Sequence, residues 1–484
     1  MAQVTMGVDL STLVNALLEG NIDAIIAAAR EHLQREEQVD VLIGRLGLIA
    51  VQGDPDGHPS ITLAAAAMLS RLLHTIPAPI DTDKHSAELA LPLLVQALLS
   101  AIPAIRAGHQ AQSQYPDPLF PSELPEGKTV NEMMHQAVYK NDALLAERLL
   151  FGLYGSGADY RTTEVRAYEG IATTFQNAGH PLMLAVRGFQ LLDAVEWGNR
   201  APNILHWLAP HLPLRPDSDE PAWVRSVREY TGDQAHSVVS IRTRLSTPKN
   251  ASALSLRQLI ISDADTTKVC QGVYDALIKG EASPQAVGAV IALAAADILE
   301  YVPDTDRALF VRVAHGLLFS AAVRQVFQRV QDVEALNLLF TSAAFVNALH
   351  KEVIGNGAQR QPVPASKGAS STAIAGGGLI AAAQLETVAS QLKAQDLGGA
   401  LATAQRYFRL GHDPRALFAT IALVASSIDS VDDQGHTLQI VQAAAEEYIS
   451  WSQHRLPETN IEGLLLVALR AAAFGKRDTI VSQL

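Results

Sequence analysis

The chain has 484 residues, a formal net charge of −13 and a single cysteine. Its length exceeds ordinary single-domain size and is ample for a large core. The acidic balance, with no clustered Lys and Arg to neutralise phosphates, argues against a nucleic-acid partner. A lone thiol rules out intramolecular disulfides and cysteine-held iron–sulfur clusters, and it is compatible with a reducing cytoplasm. Cys270, in TTKVCQGVYDAL, reads as a small buried hydrophobe rather than a nucleophile. The N-terminal MAQVTMGVDLSTLVNALLEGN lacks a basic stretch followed by a long apolar run, so no signal peptide is expected. Apolar segments such as VGAVIALAAADILEYV fall short of a membrane span of about 20 residues. A cytoplasmic protein with no membrane association is the expectation.

Leu and Ala dominate, apolar residues recur three and four apart, and alternating β-branched runs are scarce, which predicts an all-α fold. Taken in chain order, the helices group into four similar units. Residues 10–107 carry LSTLVNALLEG, IDAIIAAAREHLQ, VDVLIGRLGLIAV, HPSITLAAAAMLSRLLHTI and SAELALPLLVQALLSAIPAI. A proline-rich connector, GHQAQSQYPDPLFPSELPEGK, follows. Residues 130–212 hold the second unit, closed by the loop PLRPDSDEP, and residues 255–354 the third. In the third, SPQAVGAVIAL has a serine cap with proline at the first helical position. Residues 355–378 are rich in Gly, Ser, Ala and Pro and read as a mobile loop or lid. Residues 379–484 form the fourth unit. The four are expected to close into one compact helical bundle around a central site.

Four histidines mark the same point of each unit: His58 in GHPSITLAAAAML, His180 in GHPLMLAVRGFQLL, His315 in AHGLLFSAAVRQVF and His436 in GHTLQIVQAAAEEYI. Three follow a glycine, and each is read as opening an alanine-rich helix. Upstream of each, at Gly20, Asn141, Gly280 and Asp396, a helical stretch carries a polar break. A repeated element of this kind fixes the architecture. Imidazole is the commonest protein ligand for a metal ion, so four matched copies point to one shared centre. The competing reading is that each histidine merely caps its helix or bonds a loop.

The histidines lie more than a hundred residues apart, which excludes a local motif such as His-Glu-x-x-His and requires a site built by tertiary packing. Neutral imidazoles suit iron, zinc, copper or nickel. Because they bring no negative charge, an anionic further ligand such as a phenolate or enolate is favoured. Asp54 and Asp56, or Asp432 and Asp433, could add a carboxylate, though acids before a helix are also ordinary. Arg187, seven residues after His180, returns to nearly the same helix face and could bind an anionic substrate, or form a surface salt bridge. At the matching positions Ala65, Ala322 and Ala443 would leave space beside the histidines. His206, His211, His74, His85, His135 and His350 read as packed or solvated, with His135 the next candidate.

The segments GHPLMLAVRGFQLLDAVEWGNRAPNILHWL, AHGLLFSAAVRQVF and DDQGHTLQIVQAAAEEY resemble the questin-oxidase-like family. They are also similar to helical regions of bacterial proteins that carry a Rieske-type domain. That family includes fungal oxygenases that open anthraquinone rings, some with a non-haem iron held by four histidines. The resemblance implies Fe(II) at His58, His180, His315 and His436, with zinc or another divalent ion as the substitute. A carboxylated lysine joins the iron in the characterised branch of that family, and no equivalent lysine can be assigned in this chain. With no Rieske cysteines here, any such electron donor would be a separate protein. The resulting expectation is an oxygenase acting on a hydrophobic, aromatic or polyketide-like small molecule with dioxygen. Its competitors are a non-catalytic helical-repeat interaction protein and a metal-dependent hydrolase or isomerase.

Overall fold

Caps written into the sequence mark where the computed structural model begins its helices. Asn21, Asp142, Ser283, Asp396 and Asp413 each accept a hydrogen bond from a backbone N–H of the first helical turn. Such a bond satisfies a donor that has no partner inside the helix and stabilises the start by about 1 kcal/mol. The structure describes residues 9–35, 38–77, 85–112, 114–172, 175–195, 197–212, 220–237, 240–241, 253–279, 282–329, 333–355, 357, 359–362, 377–454 and 460–484. The postulated lid at 355–378 and the loop PLRPDSDEP lie largely outside them.

The fold is all-α, with 21 helices and no strand among the described residues. It begins with α1 (Ser11–Glu19), α2 (Ile22–Gln34), α3 (Val39–Ala50), α4 (His58–Ser70) and α5 (His85–Gln110). Then come α6 (Val130–Tyr139), α7 (Ala143–Gly155), α8 (Tyr160–Ile171), α9 (His180–Val195) and α10 (Ala201–Leu208). α11 (Ala222–Gly232) leads to α12 (Leu254–Ile260), α13 (Thr266–Ile278), α14 (Pro284–Leu299), α15 (Arg307–Arg329) and α16 (Asn337–Gly355). The chain ends with α17 (Gly377–Lys393), α18 (Leu397–Arg409), α19 (Pro414–Ala425), α20 (His436–His454) and α21 (Glu462–Ala473).

Four of these helices form the centre. α4 packs on α9, α9 on α15, α15 on α20, and α20 returns to α4. All four are buried on nearly every face: every residue from His180 to Leu192 in α9 is buried, as is every residue from Val313 to Phe327 in α15. A helix that is apolar all round belongs inside, and its alanines let neighbouring backbones come close. Each inner helix is sheathed by the helices before and after it: α3 and α5 on α4, α8 and α10 on α9, α14 and α16 on α15, α19 and α21 on α20. Among the described residues two helical stretches, Leu89–Gln110 and Arg307–Arg329, are long and apolar enough to cross a membrane, but 61% and 83% of their most apolar windows lie buried within the protein. The longer of them is α15, a member of the central ring.

Two details of the sequence reading are corrected. His315 does not open its helix: α15 starts at Arg307, where Asp306 accepts from Leu309 N, and the histidine sits two turns inside. No glycine precedes His315, so nothing in the backbone stops the helix from running on through it. The polar break assigned to Gly280 falls on residues outside the described set, and in helix order it is out of register. One helix intervenes between break and histidine helix in the other cases (α2–α4, α7–α9, α18–α20), but α14 leads directly into α15. The matching break in helix order precedes α13, where Asp265 accepts from Lys268 N as Asn21 does from Ala24 N and Asp142 from Leu145 N.

Candidate metal centre

The ring of helices brings the four histidines into a square. Ring centroids are 5.1 Å apart for His58 and His180, 5.0 Å for His180 and His315, 5.0 Å for His315 and His436, and 5.4 Å for His436 and His58. Ligand nitrogens of His58, His180 and His436 all lie within 4.8 Å of one another. That is close to the span of opposite nitrogens around one ion, at about 2.0–2.2 Å per bond. His315, expected as the fourth ligand, neighbours His180 and His436 by its ring but is not part of that nitrogen group.

The glycine before three of the histidines has a physical reason. Gly57, Gly179 and Gly435 have φ of +82°, +87° and +72°, the left-handed region where a side chain is strained. Each also lies against the next helix in the ring. A Cβ would stand 2.1 Å from Leu184 on α9 at Gly57, 2.3 Å from Phe319 on α15 at Gly179, and 1.8 Å from Thr62 on α4 at Gly435. The residue that turns the chain into each histidine helix is thus the point of closest approach between helices.

Each of three imidazoles is oriented by a backbone carbonyl. His180 Nδ1 donates to Asn177 O at 2.5 Å, His315 Nδ1 to Val311 O at 2.8 Å, and His436 Nδ1 to Asp433 O at 2.6 Å. A carbonyl only accepts, so Nδ1 carries the proton and Nε2 keeps its lone pair, the tautomer a metal ligand needs. His436 Nε2 is buried without any partner, which costs free energy unless something binds it. Burial lowers the pKa of His180, His315 and His436 to about 4, and the neighbouring histidines push in the same direction. His58, half-buried and the most accessible of the four, is also lowered by burial, against the opposing pull of Asp54 and Asp56. The clustered nitrogens of His58, His180 and His436, neutral at pH 7, form a donor set that fits a divalent first-row ion, with the His315 ring beside two of them.

The acids near the histidines have other work. Asp54 accepts from Gly57 N at 2.8 Å, Ser60 N at 2.9 Å and Ser60 Oγ at 2.6 Å, which anchors the start of α4. Asp433 accepts from Thr437 N at 2.9 Å and from the Thr437 hydroxyl, and it meets Arg307 of α15 at 3.4 Å. Asp432 is exposed beside Lys476, and Asp56 is exposed. None of the four joins the nitrogen cluster. Asp54 and Asp433 hold histidine helices in place.

Arg187 is a buried residue, so a surface salt bridge is ruled out for it. Its guanidinium donates to Gln190 Oε1 at 2.6 Å and to Gln442 Oε1 on α20. Burial lowers its pKa, and nearby Glu446 opposes that shift. Ala65, Ala322 and Ala443 are packed, with at most 1% exposure. None of the other described histidines joins the nitrogen cluster, although His211 is near enough to His180 to help lower its pKa. His206 Nδ1 lies 2.5 Å from Glu147 Oε1, His211 stacks edge-on against Trp207, and His74 is exposed. Cys270 is buried and its thiol is pushed up to about 12, which keeps it an inert core residue.

Sequence reasoning overlooked a polar layer beneath the histidines. Gln190, Arg324, Gln325, Gln442 and Glu447 are all buried in the central helices, and Arg324 pairs with Glu447. The signal was present: polar residues six to eleven positions after the histidines, in GFQ, VRQVF and VQAAAEEY, interrupt otherwise apolar helices. No family model, curated protein or solved structure matches the chain.

Proposed function

We propose that the chain binds one iron(II) ion at His58, His180, His315 and His436 and works as a non-haem oxygenase on a hydrophobic, aromatic or polyketide-like molecule. The observation that carries this reading is the square of imidazoles, three of them held by Nδ1–H bonds to backbone carbonyls. Histidines that only capped helices would have no reason to converge or to leave a buried Nε2 unpartnered. When bound, iron would supply dioxygen activation and polarisation of an enolate or phenolate oxygen. The chain supplies the rest. Burial keeps the imidazoles unprotonated, and backbone carbonyls fix the tautomers of His180, His315 and His436. His58, the least buried, marks the face from which substrate and dioxygen approach. The resemblance to questin-oxidase-like proteins agrees with this assignment, and four homologous units would account for the closure of the ring.

Elemental analysis of protein expressed in iron-supplemented medium tests the reading. One equivalent of iron, lost in His180→Ala, supports it. Stoichiometric zinc that iron cannot replace would favour the hydrolase alternative, and metal-free protein would leave the helical scaffold.

A further inference from the structure

Beyond the histidines the ring of helices holds a cavity of about 300 Å³ between α4, α15 and α20. None of the four histidines is in its wall. Its lining residues fall between Gln442 and Ser450 on α20, about 9–21 Å along the helix from His436 at 1.5 Å per residue. The Arg187–Gln190–Gln442 layer lies between the two sites.

We propose that this cavity is a second binding site, for a small neutral molecule with a hydroxyl group on an apolar body. One side is apolar, from Met68, Leu72 and Ile449. The polar side has its charges already matched. Arg324 is paired with Glu447, Arg71 Nε donates to Asp40 at 2.8 Å, and Glu446, whose Oε2 accepts from the neutral Gln325 amide at 2.9 Å, has its charge opposed by the nearby guanidinium of Arg187. An ionic ligand would therefore find no unmatched counter-charge. What remains is one donor, Gln442 Nε2, and one acceptor, Glu446 Oε1, neither with a partner in the protein. Arg187 fixes the amide by bonding Gln442 Oε1, so the N–H groups face away from it. A hydroxyl both accepts and donates, and it answers this pair as neither an ammonium nor a carboxylate can. A volume near 300 Å³ is at the lower end for small-molecule sites, which sets the size of the ligand.

Saturation-transfer NMR with cyclohexanol, cyclohexylammonium and cyclohexanecarboxylate on the metal-free protein tests this site. Cyclohexanol is expected to bind, with both charged analogues at least about tenfold weaker. Gln442→Leu should weaken cyclohexanol by about tenfold, the loss of one buried hydrogen bond. Ile449→Trp should fill the cavity and abolish binding, with Leu72→Phe as the second blocking variant if the first does not fold. His180→Ala should leave cyclohexanol affinity unchanged, which separates this site from the metal centre. No binding of cyclohexanol, preference for a charged analogue, binding retained in the blocked variant, or loss in His180→Ala would each overturn the proposal. Iron content, measured in parallel, reports on the metal reading independently.

Discussion

His315 reaches the centre by a different local route from its companions. His180 and His436 bond to carbonyls in the turn three residues back, while His315 bonds to Val311 four residues back within a continuous helix. The outcome is the same tautomer, which argues that the unprotonated Nε2, not the cap, is what these residues have in common. Replacing His180 or His315 by alanine is therefore expected to remove metal while leaving the circular-dichroism helix signal largely intact. His206→Ala, which removes the contacts with Glu147 and with the ring of Tyr115, should keep its metal. Equal metal loss in the His206 and His180 variants would strip the square of its meaning. A pH dependence belongs to the same residues. Burial holds the pKa of His180, His315 and His436 down at about 4 in the folded chain, against about 6.5 for a free imidazole. Between those values the unfolded chain takes up protons that the folded chain refuses. Their contribution to the stability of the metal-free protein is complete above about pH 6.5 and declines as pH falls toward 4. Urea midpoints at pH 7.5, 5.5 and 4.5 should fall in that order, and more shallowly in His315→Gln, which removes one of the three depressed imidazoles.

At the scale of elements, the Gly-His pairs were legible as a recurring string, but their role was not. The left-handed φ and the contacts with Leu184, Phe319 and Thr62 depend on which helix lies opposite, and a local sequence cannot specify that. Gly179→Ala is expected to destabilise the protein by about 2 kcal/mol or more, from the unfavourable φ and the clash with Phe319. Its urea midpoint should fall accordingly, whereas Gly157→Ala, also left-handed but with open space around its Cβ, should cost less. Asp433→Ala removes the acceptor for Thr437 N and the link to Arg307, so about 1–2 kcal/mol of stability should go. Because the same residue supports the His436 turn, metal affinity should drop by roughly tenfold as well. The start of α15 was misplaced because apolar periodicity continues unbroken on both sides of Ala314. The third break was misplaced because Gly280 reads as a breaker as readily as Asp263–Asp265 does. Helix existence follows from periodicity, but register between distant helices comes from packing.

For the whole molecule, the all-α class followed from composition and spacing, since the alanine-rich helices have no stable place except in an interior. The closure of α4, α9, α15 and α20 was anticipated only through the histidines, because four ligands for one ion cannot sit on an open superhelix. The buried polar layer and the cavity beyond it went unread. Arg187 and Gln442 become partners only when α9 and α20 face each other, and Glu446 meets Gln325 only when α15 packs on α20, so each alone looks like an ordinary helix residue. Metal and fold should be coupled, because an ion bound to all four inner helices stabilises the folded state by mass action. Loading with Fe(II) is expected to raise the melting temperature of the metal-free protein, and the rise should vanish in His180→Ala. The most direct test is the stoichiometry itself. Anaerobic titration of the metal-free chain with Fe(II), followed by desalting and elemental analysis, should give one iron per chain. Failure to retain iron, or equal retention by a protein lacking His58, His180, His315 and His436, would contradict the account.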